Sequence, residues 1–274
     1  MGRSASPAAA TIPEPTSASA LAAYEALAPW YDRFTHDYAH DRWLAGIEEW
    51  AIAAGLRGRR LLDVACGTGK SFEPMLDRGY EVTACDVSPA MVAHASRKAR
   101  GAATVVVADM RRLPWRSRFD LITCIDDAVN YLLTEDDLLA ALGGMAAALR
   151  PGGILVFDTN SLATYRSAFA EDFEVRDGRS RFRWRGLGSA DLQPGALAEA
   201  TIEVVGVEAP ESRHIQRHWP VATLRRACSR AGFSRISFRG QMTGCRLVGD
   251  PDEERHTKVV CLAAKRRPRR GGGP

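Results

Sequence analysis

The strongest constraint in this sequence is a glycine-containing turn between two short apolar runs. Residues 60–65 form an apolar run too short for a helix, and Gly67 and Gly69 follow it before a helix-like segment. A second apolar run, residues 80–85, ends on Asp86, about 20 residues after the glycines. In nucleoside-binding folds a carboxylate at this place accepts two hydrogen bonds from a ribose diol. The pattern therefore predicts a strand, a turn, a helix and a second strand that bind a nucleoside-containing cofactor.

The glycine pattern argues against two common nucleotide-binding motifs. A dinucleotide fingerprint needs a third small residue for close helix packing, but Phe72 stands in that position. A phosphate-binding loop needs a glycine at a fixed distance before its lysine, and the sequence before Lys70 lacks it. These observations disfavour NAD. They favour a ligand that has no phosphate groups and that lies close to the backbone of the glycine turn.

Residues 61–70 (LLDVACGTGK) resemble the first motif of the class I S-adenosylmethionine-dependent methyltransferases, and Asp86 resembles their ribose-binding acid. An ordinary strand-to-helix turn is the alternative for such a glycine pattern taken alone. The resemblance implies that S-adenosylmethionine is the cofactor. It assigns the following residues of the first two strands and their turns to cofactor binding: Asp63, Ala65, Cys66, Gly67, Gly69, Asp86 and Val87.

The third apolar run, residues 105–108, ends on Asp109 and Met110. In the resembled family the acid at this place accepts a hydrogen bond from the adenine amino group, and the next residue supplies a backbone N–H to the ring. An aspartate after a strand is also a common turn former. The resemblance implies cofactor contacts for both Asp109 and Met110.

The fourth apolar run, residues 119–125, leads into a polar string, DDAVNYL, at residues 126–132. Polar groups just past the carboxyl end of a parallel strand lie where open α/β sheets bind their ligands. The string resembles a subgroup of bacterial methyltransferases with Asp-Ser-x-Asn-Tyr here, from which Ala128 departs because it lacks the hydroxyl. The alternative is a helix start with Asp126 or Asp127 as N-cap. We assign Ile125 to the cofactor, Asp127 to catalysis, and Asn130 and Tyr131 to the substrate.

A helical pattern interrupted by Pro29 covers residues 21–55. Within it, residues 28–33 (APWYDR) resemble the N-terminal helical lid of small-molecule methyltransferases, whose tyrosine closes over the methionine end of the cofactor. Tyr31 is therefore assigned to the cofactor, and its ring can meet a sulfonium face-on, an attraction of about 0.5–2 kcal/mol. The alternative is that Trp30 and Tyr31 only attach the lid to the core.

The order of elements predicts an α/β fold. Apolar runs that alternate with helical segments imply right-handed crossovers and a doubly wound sheet. The string LRPGGILVFD at residues 149–158 is a further family resemblance, and residues 171–218 alternate in a way that predicts an antiparallel β insertion after strand five. With strands near residues 236–238 and 258–263, the resemblance implies a seven-stranded, mostly parallel sheet with an antiparallel final strand.

The end of the insertion carries a histidine and a tryptophan, His218 and Trp219. His218 is the candidate general base, because imidazole removes protons near neutral pH and this corner faces the pocket in the resembled family. A half-buried structural histidine is the alternative. Trp219 is assigned to the substrate, and His36 and His40 on the lid are weaker candidates for the base.

Composition limits the remaining possibilities. The formal charge is +4, but five positive charges lie at residues 265–270, which leaves −1 for the rest and disfavours a nucleic-acid-binding surface. The six cysteines form no C-x-x-C pair, which favours a reducing cytoplasm and no structural metal. No apolar stretch reaches the about 18 residues of a membrane span. We expect a disordered leader at residues 1–18, a methyltransferase domain at 19–266 and a flexible basic tail at 267–274.

These observations predict an enzyme that transfers the cofactor's methyl group to an N, O or C nucleophile of a small molecule. The alternatives are non-methylating chemistry with the same cofactor, such as cyclisation or rearrangement, and a macromolecular RNA or protein methyltransferase. A non-catalytic cofactor-binding protein is a third reading. We expect a monomer or homodimer without a membrane or nucleic-acid partner.

Overall fold

The computed structural model of the chain describes residues 17–267, which fold into two β-sheets and flanking helices. Residues 1–16 of the leader predicted at 1–18, and residues 268–274 of the tail predicted at 267–274, lie outside the described residues, whereas residues 17 and 18 begin the first helix. In chain order the described strands are β1 Arg60–Val64, β2 Glu81–Asp86, β3 Ala103–Val107, β4 Phe119–Cys124, β5 Leu149–Asn160, β6 Asp172–Asp177, β7 Ser180–Gly186, β8 Leu197–Val204, β9 Ser212–Arg217, β10 Phe233–Met242, β11 Arg246–Val248 and β12 Lys258–Lys265.

The helices fall into an N-terminal group and a group that crosses between strands. Two of the crossover helices begin with a side-chain cap: the Ser88 hydroxyl accepts from the Met91 N–H, and the Thr134 hydroxyl accepts from the Asp137 N–H. The α-helices within residues 17–267 are α1 Ser17–Leu27, α2 Tyr31–Phe34, α3 His40–Ala53, α4 Glu73–Asp77, α5 Pro89–Ala99, α6 Glu135–Ala148, α7 Leu162–Ser167 and α8 Val221–Arg230, with 3₁₀ turns at Met110–Arg112 and Ala128–Tyr131.

The main sheet has the strand order β11-β10-β12-β5-β4-β1-β2-β3. Strands β3, β2, β1, β4 and β5 pair in parallel, whereas β12 runs antiparallel between β5 and β10. Residues alternate between the faces of β1, so that Leu62 packs towards α6 and α8 and Leu61 packs towards α3 and α5. The doubly wound fold class is confirmed. From β1 the strands are added in one direction as far as β3 and then in the other direction from β4. Such sheets bind ligands at this switch point.

The sheet contains one strand more than the predicted seven. Gly244 and Cys245 both have positive φ, of 78° and 64°, and make a tight hairpin that folds β11 back onto the end of β10. The prediction missed β11 because it is only three residues long, Arg246–Val248, and has no apolar alternation.

The insertion after β5 is a separate antiparallel sheet with the order β6-β7-β8-β9. Its inner face packs against the N-terminal helices, where Leu27 and Phe34 meet Phe182. The insertion and helices α1 and α2 therefore stand together over the carboxyl ends of β1, β2 and β4. Within residues 17–267 no helix has the length and apolar character that a membrane span requires.

Candidate functional site

The glycine turn after β1 is held in a conformation that few side chains tolerate. Ala65, Gly67 and Gly69 all have positive φ, of 57°, 52° and 95°. A Cβ on Gly69 would lie 2.7 Å from the ring of Phe72, which is fully buried, so the turn is closed on that side. The backbone of Gly67 is bare towards Tyr31, whose ring lies 3.6 Å from where a Cβ would stand. The backbone of the turn therefore lies directly beneath the lid, without a side chain at Gly67 to separate them.

Asp63 lies beneath this turn and supports it. The side chain is 1% exposed, and its two oxygens accept from the Ser71 hydroxyl at 2.5 Å and the Thr123 hydroxyl at 2.6 Å. Burial raises the pKa of Asp63 to about 6, against the opposing effect of these hydrogen bonds. Asp63 does not line the cleft above it. The structure therefore gives this residue, predicted to bind cofactor, the role of fixing the turn.

Asp86 ends β2 on the other side of the turn. Its two oxygens accept from the backbone N–H groups of Gly67 and Ser88, both at 2.9 Å, and burial raises its pKa although these bonds oppose the rise. The side chain lines a cleft between the turn and the lid. A carboxylate so held presents its remaining lone pairs in a fixed direction, which suits a diol.

We name this space the glycine-turn cleft. Tyr24 and Tyr31 of the N-terminal helices cover it, and His40 and Asp126 close its end. Of the predicted cofactor residues, those that line it are Tyr31, Ala65, Cys66, Gly67, Asp86, Val87, Met110 and Ile125. The structure thus brings together eight of the eleven, from five separate strand ends and helices.

Asp109 and Gly69 do not line the cleft, like Asp63. Asp109 caps the 3₁₀ turn at Met110–Arg112 and pairs with Arg111, whose guanidinium also reaches Asp137 at 2.9 Å. Although burial opposes it, the hydrogen bonds and charge of Arg111 hold the pKa of Asp109 below its usual value. Both carboxylate oxygens accept from this arginine, so an adenine contact would have to compete with it.

Polar contacts hold the lid helices onto the body of the fold. Glu25 of α1 accepts from the Ser88 hydroxyl at 2.5 Å and from the Ala90 N–H at 3.0 Å, so it caps the start of α5. Asp32 of α2 pairs with Lys98 at 2.7 Å. These contacts place the tyrosines of the lid directly over the glycine turn.

A second cavity of about 350 Å³, which we name the aromatic pocket, opens beside the cleft. The two share Tyr24, Tyr31, Asp126 and Tyr131, so they meet at the end of β4. The remaining aromatic walls come from α2 and the turn after it, from the turn after α7 and from the insertion, and they are Phe34, Tyr38, Phe169, Phe173, Trp184 and His214. A substrate in this pocket would lie next to whatever occupies the cleft.

The junction of the two cavities is a strained pair of acids. Asp126 and Asp127 have φ of 61° and 53°, and a left-handed conformation costs a non-glycine residue about 1–3 kcal/mol. Asp126 pairs with His40 Nε2 at 2.7 Å. Although burial opposes it, this pairing, with smaller effects of Lys258 and Lys70, holds the pKa of Asp126 below its usual value. Asp126 is therefore a fixed negative charge at the junction.

Asp127 stands in the aromatic pocket but is fully engaged. Its oxygens accept from Lys258 Nζ at 2.7 Å and from Gln216 Nε2 at 2.6 Å. Lys258 also donates to Asp158 at 2.7 Å; burial raises the pKa of that carboxyl to about 6, and its Oδ1 has no partner. With both oxygens bonded, Asp127 contributes charge to the pocket rather than a free base.

Tyr131 and His214 form the wall opposite these acids. The Tyr131 hydroxyl lies 2.7 Å from His214 Nδ1, and His214 Nε2 lies 2.8 Å from the Ser212 hydroxyl. Burial lowers the pKa of His214 to about 4. The ring is therefore neutral at physiological pH.

His218, predicted as the base, lies outside both cavities. It is fully buried, its Nε2 meets Glu253 at 2.7 Å, and its Nδ1 accepts from the Gly195 N–H at 3.2 Å. With both nitrogens engaged inside the fold, it has no access to a substrate. The prediction failed because the corner at β9 turns His218 inward and His214, four residues earlier, towards the pocket.

Asn130 and Trp219, predicted to bind substrate, also lie outside both cavities. Asn130 donates to the Arg217 carbonyl at 2.7 Å and accepts from the Asn160 N–H at 2.9 Å, so it joins β5 to β9. Trp219 packs in the core and donates to the Leu132 carbonyl. Of the predicted substrate residues, the structure brings only Tyr131 to the pocket.

The sequence analysis did not identify several residues that line the aromatic pocket, because it relied on patterns of apolar residues. Ser212, His214 and Gln216 alternate along β9 and face inward, a period of two that predicts a strand face lined with polar groups. Lys258 at the start of β12 and Tyr24 on α1 carry no local signal. Within residues 17–267 no three His, Cys, Asp or Glu side chains are grouped to hold a metal ion.

Comparison with known proteins agrees with this geometry. The family model described as "Methyltransferase domain" matches residues 61–153. The "Putative methyltransferase YqeM" of Bacillus subtilis (strain 168) is 28% identical over 217 residues, 77% of this chain and 86% of that protein. The "dTDP-3-amino-3,4,6-trideoxy-alpha-D-glucopyranose N,N-dimethyltransferase" of Streptomyces venezuelae is 36% identical over 125 residues, 44% of this chain and 51% of that protein.

A solved structure shares the fold. It is the "S-adenosylmethionine-dependent methyltransferase from Clostridium acetobutylicum ATCC 824", with a TM-score of 0.71 and 22% identity over 89% of this chain and 99% of that one. The match covers more of the chain than residues 61–153, and it shows that the two chains share a fold.

Proposed function

This chain belongs to the class I S-adenosylmethionine-dependent methyltransferases, and from that premise we propose that it methylates an amine nitrogen of a small molecule held in the aromatic pocket. The observation that carries the proposal is the junction of the two cavities, where aromatic rings and carboxylates surround one point.

The residues of the glycine-turn cleft fit S-adenosylmethionine. Asp86 offers an oriented carboxylate to a ribose diol, and the bare backbone at Gly67 allows close approach. Val87, Met110 and Ile125 would provide apolar walls for the adenine, and Tyr31 would cover the methionine end. When bound, the cofactor supplies an electrophilic methyl group on a sulfonium.

Charge at the junction favours a cationic substrate. The carboxylates of Asp126 and Asp127 line the pocket there, and that of the fully buried Asp158 lies behind them on the ammonium of Lys258. Lys258 is itself held between Asp127 and Asp158, and although burial opposes it, these acids raise its pKa far above the usual value. A protonated amine would restore the balance of charge, whereas a phosphate would add to the excess of negative charge.

The aromatic walls favour the same class of substrate. Tyr24, Tyr131 and His214 pack edge to face, with ring centroids 5.4–6.1 Å apart, and Trp184 stacks on the other face of His214. An ammonium over such rings gains about 0.5–2 kcal/mol each where water is excluded. A neutral alcohol gains little from either the rings or the acids. The pocket therefore favours protonated amines over alcohols because of their charge.

Methyl transfer then requires chiefly positioning. The bound cofactor would supply the methyl carbon, with the electrons of its carbon–sulfur bond left on sulfur, and a protonated amine would first give one proton to solvent water so that its lone pair is free to form the nitrogen–carbon bond. Holding both partners at attack distance contributes about 7–11 kcal/mol to lowering the barrier. The residues of the chain therefore bind the amine, orient its lone pair and exclude water through the closed lid.

The test is product analysis with methyl-labelled S-adenosylmethionine. The panel would contain arylalkyl and aliphatic amines, the matching alcohols, dTDP-linked amino sugars, RNA and protein. We expect amines to gain a methyl group and the matching alcohols to remain unchanged. The dTDP-linked arm is included because one relative is named for such a substrate. Methylation of alcohols but not amines, or of RNA or protein alone, would overturn the proposal, as would a product derived from the cofactor alone.

A pair of variants links the product to the pocket. Asp126→Asn should raise the KM for the amine by about 10-fold, the effect of losing a charged partner worth roughly 1.5 kcal/mol. Asp172→Asn, on the exposed edge strand β6, is the matched control and should not change it. A monomer or homodimer in the cytoplasm, without a membrane or nucleic-acid partner, is the setting we propose for this activity.

A further inference from the structure

A chain of hydrogen bonds that runs from the lid to Tyr131 has a fixed direction. The Ser212 hydroxyl lies 2.7 Å from the Ala23 carbonyl of α1. A carbonyl only accepts, so the single hydrogen of the hydroxyl is used there. Towards His214 Nε2, 2.8 Å away, the Ser212 oxygen can therefore only accept.

This direction fixes the tautomer of His214. If Ser212 accepts, Nε2 carries the ring hydrogen, and Nδ1 of a neutral ring is left with a lone pair. Burial lowers the pKa of His214 to about 4, so the ring has one hydrogen and not two near neutral pH. The Tyr131 hydroxyl, 2.7 Å from Nδ1, must then donate to it.

The last member of the chain stands where the two cavities meet. Tyr131 lines both, and burial raises the pKa of its phenol well above the usual value, so the hydroxyl keeps its hydrogen. Because that hydrogen points to His214, the oxygen can only accept towards the pocket, where the Tyr24 hydroxyl and the Gln216 amide already donate to it, and a donor from a bound substrate would take the place of one of them. A protonated or neutral amine is such a donor.

We propose that the Tyr131 oxygen accepts a hydrogen from the attacking nitrogen and so aims its lone pair at the cleft, and that His214 and Ser212 are positioning residues that hold Tyr131 in this acceptor state while α1 is docked. The proposal deepens the proposed function and rests on it only for the identity of the nucleophile. Undocking of α1 removes the Ala23 carbonyl, frees the Ser212 hydrogen and lets the whole chain reverse.

The first test needs no substrate. The side chain nitrogens of ¹⁵N-histidine-labelled protein are read by long-range ¹⁵N–¹H correlation at pH 7, with His214 assigned by its loss in His214→Gln. We expect His214 to show hydrogen on Nε2 and none on Nδ1. Ser212→Ala should convert it to a mixture with the Nδ1–H form, and Ser212→Thr should retain the wild-type pattern. An Nδ1–H or doubly protonated ring in the wild type, or no response to Ser212→Ala, would overturn the proposal.

The second test uses kinetics on the amine that product analysis identifies, together with its N-methyl and N,N-dimethyl forms. Tyr131→Phe should lower kcat at least 10-fold for forms that carry N–H and less than 2-fold for the N,N-dimethyl form. Ser212→Ala should lower kcat about 3-fold to 10-fold with Ser212→Thr restoring it. Tyr80→Phe, a buried tyrosine outside both cavities, is the matched control.

The outcomes separate the two proposals. An equal loss for all three amine forms would show that the Tyr131 hydroxyl acts only through packing, which overturns the inference. If the panel yields a methylated alcohol instead, the proposed function fails, and the effect of Tyr131→Phe on kcat is then measured with that alcohol, where no loss would overturn the inference. The tautomer measurement decides the direction of the chain in either case.

Discussion

The glycine-turn cleft and the aromatic pocket are neighbours that share four residues, yet they are built in different ways. Most of the cleft comes from short segments that directly follow β1 to β4, and among them is the glycine turn, whose backbone has positive φ. The pocket is assembled from side chains of α1, α2, β5, β7, β9 and β12, which are far apart in the sequence. A backbone site tolerates little change at its glycines, whereas a side chain site can be re-tuned one residue at a time. The following predictions test that difference.

The largest effect should come from filling the glycine turn. In Gly69→Ala the new Cβ lies 2.7 Å from the buried Phe72 ring at a φ of 95°. Backbone strain of about 1–3 kcal/mol and overpacking of about 1–3 kcal/mol add to an expected loss of about 2–6 kcal/mol. Urea unfolding measures it. Gly79→Ala is the matched control, because its φ is 78° but its Cβ would meet nothing within 4 Å, and an equal loss in both variants would show that the turn is not tightly packed.

Next in size are two opposite effects of pH on the free energy of unfolding, which arise from Asp158 and His214 at the aromatic pocket. The pKa of Asp158 is raised to about 6 in the folded state by burial, so the folded protein keeps a proton that the unfolded chain loses near pH 4. Its contribution to stability is therefore present at low pH and is lost as the pH rises from about 4 to 6. The pKa of His214 is lowered to about 4, so its contribution is present above about pH 6.5 and is lost as the pH falls to 4.

Two single variants isolate these contributions. Relative to wild type, Asp158→Asn should gain about 2–3 kcal/mol of unfolding free energy between pH 4 and 7, and His214→Gln should lose about the same over that range. The free energy of unfolding is measured in urea at each pH, and the double variant should give a nearly flat difference. Parallel slopes for the two single variants would contradict the assignment of both groups.

The third effect tests the cleft. Asp86→Ala should weaken S-adenosylmethionine binding by about 1.5–3 kcal/mol, the loss of hydrogen bonds to a charged acceptor. Asp109→Ala should weaken it by less than about 1 kcal/mol, because both oxygens of Asp109 already accept from Arg111. Calorimetric titration gives both values, with unfolding curves to check that each variant is folded. Equal losses would restore Asp109 to the role that the family resemblance gave it.

The same contrast explains what the sequence predicts and what it does not. The apolar runs and the turn after β1 are local, so the order of elements, the sheet and most of the cleft followed from patterns of a few residues. Asp63 was assigned to the cofactor because a motif gives the position of a residue in the sequence and not the direction of its side chain. In the fold that side chain points down to Ser71 and Thr123.

The pocket could not be read in this way because its members meet only after folding. His214 and His218 are four residues apart. His214 lies within β9 and faces the cavity, whereas the chain turns after Arg217, where β9 ends, and directs His218 into the fold. Lys258 reaches Asp127 across 131 positions of sequence. No local pattern distinguishes this lysine from one on the surface, and only the antiparallel placement of β12 beside β5 brings it there.

The smallest effect concerns the lid. Its helix α1 lines the aromatic pocket, but a side chain of α1 is bonded to α5, next to the glycine-turn cleft. Glu25 of α1 accepts from the Ser88 hydroxyl and the Ala90 N–H at the start of α5. Because Glu25 is exposed, removing it in Glu25→Ala should cost only about 0.5–1 kcal/mol of docking free energy. That corresponds to roughly 2-fold to 5-fold faster hydrogen exchange of the α1 amides. Glu49→Ala, an exposed glutamate on α3, is the control and should leave α1 unchanged. If exchange in α1 does not respond to Glu25→Ala, the lid is held by its apolar contacts with the insertion, through Leu27 and Phe182, and not by its polar contacts with α5.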